Sequence, residues 1–280
     1  MSRRSGDRLA DQEMRQGATR DGERPRDALT DDAALGGRLR LRQPARGHRF
    51  GHDAILLAAA TPAAAGEVAV DLGAGVGAAG LALAQRVAGL AVRLVKINPA
   101  LAALAGKNAE RNGLGERVSA HALDVAAPPA AFAAAGLGPA TADRVLMNPP
   151  FHAAGRAQAS PDARRRAAHV AAPGAIATWV ATAARLLRPE GTVVVIYRAD
   201  EMPQLAAALA PAFGSLVVLP VQPKPAAAPI RVLVRATKGG GAPPARLAGL
   251  VLNRDDGRPT AEAEAVLRGG AALALAGPGA

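Results

Sequence analysis

Three features of the sequence predict an α/β fold on a doubly wound, mostly parallel sheet. Short apolar runs alternate with helical patterns along most of the chain, and such alternation implies βαβ units with right-handed crossovers. The runs are apolar on successive residues, as strands are when a sheet is covered on both faces. A glycine-rich turn, DLGAGVG at 71–77, ends the first run and opens the first helical stretch. Open parallel sheets bind their ligands at that edge.

Taken in order, the predicted strands are 67–73 (EVAVDLG), 91–97 (AVRLVKI), 118–124 (VSAHALD), 144–148 (RVLMN), 192–198 (TVVVIYR), 215–221 (SLVVLPV) and 230–237 (IRVLVRAT). Helical patterns fill 76–88, 99–112, 132–137, 175–187 and 203–213. The last two strands are joined through VQPKPAAAP with no helix between them. They are therefore expected to pair antiparallel, giving seven strands with an antiparallel last strand. Residues 1–30 mix charges with almost no apolar period and read as a disordered tail. One domain is expected over 31–239, followed by a partly packed extension over 240–280.

Composition narrows the function classes. No run of about 18 apolar residues marks a membrane span, and the N-terminus has no apolar signal core. The 280 residues contain no cysteine, which excludes disulfides, thiolate metal sites and cysteine nucleophiles and fits a cytoplasmic location. The histidines show no ligand spacing, so no metal is expected. The formal charge of +11 favours polyanionic partners, since each neutralised phosphate releases counterions; an arginine-rich base composition would produce the same excess.

The loop Asp71-Leu72-Gly73-Ala74-Gly75-Val76-Gly77 has glycines where the backbone must turn sharply and approach a ligand closely. A tight strand–helix corner would also use them. The pattern D-x-G-x-G-x-G resembles motif I of class I S-adenosyl-L-methionine-dependent methyltransferases, which implies a Rossmann-like fold with the loop under the cofactor's methionine and ribose. The resemblance also implies that Asp124, in HALDV, accepts from the adenine amine and that the Val125 N–H reaches a ring nitrogen. Aspartate at such a place also serves as a simple turn residue.

Asn148-Pro149-Pro150-Phe151 follows the fourth strand and is similar to the N-P-P-[FY] motif of methyltransferases that modify a planar amino group. An aryl amine is a poor nucleophile because its lone pair is delocalised. An amide oxygen from Asn148 and a carbonyl from Pro149 can accept its two hydrogens, which favours pyramidal nitrogen. The two prolines stiffen the corner, and Phe151 offers a face on which a base stacks, worth about 1–3 kcal/mol. No strong general base is needed, so positioning supplies most of the acceleration.

Upstream, GGRLRLRQPARGHRFGHDAILLAAATP at 36–62 resembles the segment preceding the glycine loop in bacterial tRNA adenine N6-methyltransferases of the kind modifying tRNA(Val). That likeness places Phe50, Asp53 and an apolar helix over the cofactor's methionine end and implies RNA, most specifically tRNA, as partner of a monomer or weak dimer. Asp53 equally suits the role of helix cap. Arg164-Arg165-Arg166, in the long linker after the corner, could meet RNA phosphates or form a solvated charge run.

One position departs from the family. Lys96 stands where an acid would accept from both ribose hydroxyls, and lysine has three donors and no acceptor. Three readings follow: weak binding with Asn98 supplying an acceptor, a non-catalytic RNA-binding relative, or an NADP-dependent oxidoreductase whose 2′-phosphate the lysine suits.

Overall fold

The computed structural model describes residues 28–47, 49–150 and 175–277. An N-terminal hairpin, β1 (Leu29–Ala34) and β2 (Leu39–Pro44), precedes helix α1 (His52–Ala60). There follow β3 (Val68–Leu72), α2 (Ala78–Arg86), β4 (Ala91–Val95), α3 (Pro99–Arg111), β5 (Val118–His121), α4 (Pro129–Ala134) and β6 (Ala142–Met147). The second half contains α5 (Ala175–Leu186), β7 (Leu187–Arg198), α6 (Met202–Leu209), β8 (Phe213–Gln222) and β9 (Arg231–Lys238). Two short strands, β10 (Ala245–Arg246) and β11 (Leu250–Val251), and helix α7 (Ala261–Leu267) complete the described chain.

The main sheet runs β10-β8-β9-β7-β6-β3-β4-β5, with β11 also on β8. The seven predicted strands form its body. β9 lies between β7 and β8 and is antiparallel to both, because the helix-free connection after β8 can only fold back. The sheet has nine strands rather than seven: β10 and β11 are two-residue pairings that no periodicity could announce. The hairpin was not anticipated either, and β1 begins at Leu29, inside the stretch read as a disordered tail.

Alternation along the strands divides the interior into two cores. Val70, Leu72, Val145, Met147, Val193 and Val195 face one side, packed under α4, α5 and α6. Ala69, Val92, Leu94, Leu146, Val194 and Ile196 face the other, with α1, α2 and the hairpin. Full burial of a Val or Leu side chain contributes about 1.5–3 kcal/mol, so both faces must be covered: α1, α2 and α3 do this on one side and α4, α5 and α6 on the other. The extension continues the second core: Leu250, Val266, Leu273 and Leu275 are buried there.

The chain order reverses at β3. Strands β4 and β5 extend from it one way and β6 and β7 the other. In open parallel sheets such a switch point is where ligands bind, here at the carboxyl ends of β3 and β6.

Candidate cofactor and acceptor site

The glycine loop leaves β3 at this edge, and the Asn148 corner leaves β6 beside it. Leu72 and Met147 are register partners, so Gly73 and Asn148 each stand one residue beyond a paired position. Neighbouring strands lie about 4.8 Å apart, which brings the two motifs together without any further folding. Pro149 is buried at the corner and Pro150 is exposed. Phe151 and Arg164, Arg165 and Arg166 lie outside the described residues.

The loop is held down from below. The Gly73 and Ala74 N–H groups both donate to the Val95 carbonyl at 2.9 Å. Gly73 has φ +78, and a Cβ there would lie 2.4 Å from the Trp179 indole of α5. Gly75, by contrast, would carry a Cβ into open space. The tip of the loop is therefore a bare backbone surface that a ligand can approach, as a cofactor cradle requires.

Asp71 was expected to contact the cofactor. Instead it is 3 % exposed, and its Oδ2 accepts from the Gly80 N–H at 2.9 Å. Strand alternation explains the placement: Val70 and Leu72 face α5, so Asp71 turns toward α2. Burial raises its pKa to about 7, against the opposing influences of the Gly80 N–H and the Lys96 charge. Gly80 is needed here because a Cβ would lie 2.4 Å from Leu94 Cδ2 and 3.2 Å from Asp71 Oδ2.

Lys96 is half-buried just after β4. Burial lowers its pKa while the Asp71 carboxylate opposes that shift. Asn98, the acceptor considered in its place, is the N-cap of α3 and takes the Leu101 N–H at 3.0 Å. Asp124 is exposed, and its Oδ1 accepts from Ala126 N at 2.9 Å. It thus forms the turn and projects from it. Val125 is buried, with its carbonyl accepting from Thr182 of α5 at 2.9 Å.

The N-terminal residues differ most from expectation. Asp53 does not cap α1, since Gly51 holds that position. Its carboxylate pairs instead with Arg231 of β9 at 3.0 Å. Phe50 lines a cleft of about 630 Å³ shared with Leu35, Gly36, His52 and Arg268, a lining in which no glycine-loop residue takes part. Sequence reasoning also missed Asn108, 1 % exposed, whose Nδ2 donates to the Val76 carbonyl of the loop at 3.0 Å. A polar residue on the apolar stripe of α3 was its one detectable signal.

Among the described residues there is no cluster of His, Cys, Asp or Glu fit for a metal. No helix among them is long and apolar enough to cross a membrane.

A sheet in this order, with its antiparallel β9 and a glycine loop at the switch point, is the class I methyltransferase fold. The chain belongs to the Methyltransferase small domain family, whose sequence profile matches residues 50–224. Among solved structures, a predicted O-methyltransferase, protein Atu636 from Agrobacterium tumefaciens, is similar at 26 % identity and TM-score 0.67, covering 79 % of this chain and 98 % of that one. Two Pyrococcus horikoshii proteins share the fold at TM-score 0.51. They are the putative transferase PH0793, at 14 % identity over 76 % of this chain and 72 % of its own, and TYW2 in complex with MeSAdo, at 15 % over 76 % and 73 %. A search of curated protein sequences finds no match. The oxidoreductase reading of Lys96 has no support in these relationships.

Proposed function

We propose that this methyltransferase acts on a planar exocyclic amino group, the N6 amine of adenine in tRNA. The observation that carries the reading is the register of β3 and β6, which sets the Asn148-Pro149 corner beside the glycine loop at the switch point. S-adenosylmethionine supplies a sulfonium-activated methyl group to such a site. The chain's own residues then have to present the amine: the Asn148 side-chain oxygen and the Pro149 carbonyl accept its two hydrogens and aim the nitrogen lone pair. The prolines hold both acceptors in place, and Phe151 supplies the stacking face. The alkylated amine then loses its proton to solvent. Asp124 and the Val125 N–H are the adenine contacts of the cofactor in this reading, and Arg164–Arg166 meet RNA phosphates.

The test is transfer of labelled methyl to a tRNA pool, followed by nucleoside mass spectrometry. N6-methyladenosine is expected with the wild type. Asn148→Ala should lower the rate at least about a hundredfold, because positioning carries the catalysis. The Agrobacterium neighbour is described as a predicted O-methyltransferase, so a hydroxyl is the competing acceptor. Label on ribose, or on protein, would overturn the amine assignment.

A further inference from the structure

The sequence RLRLR at 38–42 alternates arginine with leucine, and the hairpin sorts the two sets completely. Leu39 and Leu41 are fully buried, while Arg40 and Arg42 are exposed on the opposite face of β2, and Arg38, in the turn just before the strand, is exposed as well. Arg40 and Arg42 stand two rises of about 3.4 Å apart, a separation comparable to that of successive phosphates along a nucleic-acid strand.

Two asparagines, Asn108 of α3 and Asn112 at its C-cap, grip this strand by its outer edge. Asn112 accepts from the Arg40 N–H and donates to the Arg40 carbonyl, both at 2.8 Å. Asn108 does the same for Arg42, both at 2.9 Å. An i, i+4 pair of amides thus stands in for a neighbouring strand, and the residues it clasps are two of the three that carry the charges. Asn108 also holds the Val76 carbonyl of the glycine loop, so the arginine face sits at a fixed distance from the cofactor site.

The face is cationic after its internal pairing. Asp31 of β1 is clasped by Arg40 at 3.3 Å and by Arg111 of α3 at 2.5 Å. Arg38 spends its donors on the Leu35 and Arg268 carbonyls. Among the described residues Arg38, Arg42 and the exposed Lys107 form no ion pair. Arginines repeated along one face of a backbone that is held in place suit a repeating anion better than a single one.

We propose that the solvent face of β2, carrying Arg40 and Arg42 with Arg38 just before it, is a docking track for the phosphate backbone of the RNA acceptor. This rests on the RNA reading above, and it adds a surface outside the proposed acceptor site. Phosphate contacts of this kind set register and orientation and carry no sequence information, so the track would fix where the target base meets the Asn148 corner.

The test is binding of a fluorescein-labelled tRNA pool by fluorescence anisotropy across a salt series, for the wild type and for Arg40→Ala/Arg42→Ala. Loss of two phosphate contacts should reduce the slope of log affinity against log salt by about 1.5 and weaken binding about tenfold at low salt. The melting temperature and the calorimetric affinity for S-adenosylhomocysteine should not change. Arg42→Gln, which removes no ion pair among the described residues, gives the same reading with about half the slope change should the double variant melt early. If the wild type binds tRNA and the variants match it, the track is wrong and the RNA reading stands. If the wild type shows no salt-dependent affinity for tRNA, both fall. Equal binding to phosphatidylserine vesicles, lost in the same variants, would make the face a lipid contact and overturn the proposal.

Discussion

At the scale of single residues, Asp71 and Lys96 hold the most unusual electrostatics of the site. Burial lifts Asp71 to about 7, so between its ordinary value of 3.8 and about 7 the folded chain keeps a proton that the unfolded chain releases. Stability from this group is full below that window and falls as pH rises through it. Asp71→Asn keeps an oxygen for the Gly80 N–H but cannot ionise. Its stability, measured by urea denaturation from pH 5 to 8, should vary less with pH than that of the wild type. At pH 8 it should exceed the wild type by at least about 1 kcal/mol. Lys96→Glu addresses the ribose. A carboxylate there can accept from both hydroxyls, each such bond being worth about 1.5–3 kcal/mol, so S-adenosylmethionine should bind about tenfold tighter by calorimetry. Unchanged affinity would remove Lys96 from the ribose site.

At the scale of elements, α3 does more than cover the sheet. Asn112 clasps β2 alone, whereas Asn108 clasps β2 and the glycine loop together. Removing either breaks amide–backbone bonds, but only one of them frees the loop. Asn108→Ala should cost about 2–3 kcal/mol and Asn112→Ala about 1 kcal/mol of unfolding free energy. Only Asn108→Ala should weaken S-adenosylhomocysteine binding, by several-fold, since its loss releases the Val76 carbonyl. Equal affinities in both variants would show that the loop needs no such tie. Helix α5 acts from the other face, where Trp179 lies against Gly73 and Thr182 bonds the Val125 carbonyl.

At the scale of the whole molecule, the extension past β9 belongs to the core. Leu250, Val266, Leu273 and Leu275 are each no more than 3 % exposed, and the Leu273 N–H donates to the Ala59 carbonyl of α1 at 2.8 Å. Four such side chains, at about 1.5–3 kcal/mol each, are comparable to a typical net stability of about 5–15 kcal/mol. A chain ending at Lys238 should therefore melt on the order of 10 °C or more below the full chain, or fail to fold. A melting temperature unchanged by the truncation would make the extension a separable appendage.

The sequence by itself determined the α/β class, the order of the seven main strands, the antiparallel return of the last, and the two motifs. Each of these is written in local terms: apolar runs, a glycine turn, a proline corner, a connection without a helix. What the residues meet was decided only by the tertiary structure. Asp71 reads as a ligand contact until strand alternation turns it inward to Gly80. Asp53 reads as a cap until β9, 178 positions away, brings Arg231 to it. Nothing in RLRLR announces the two asparagines, Asn108 and Asn112, that grip its edge. Such partners are remote in sequence, and no local pattern encodes which remote group will arrive at a given side chain.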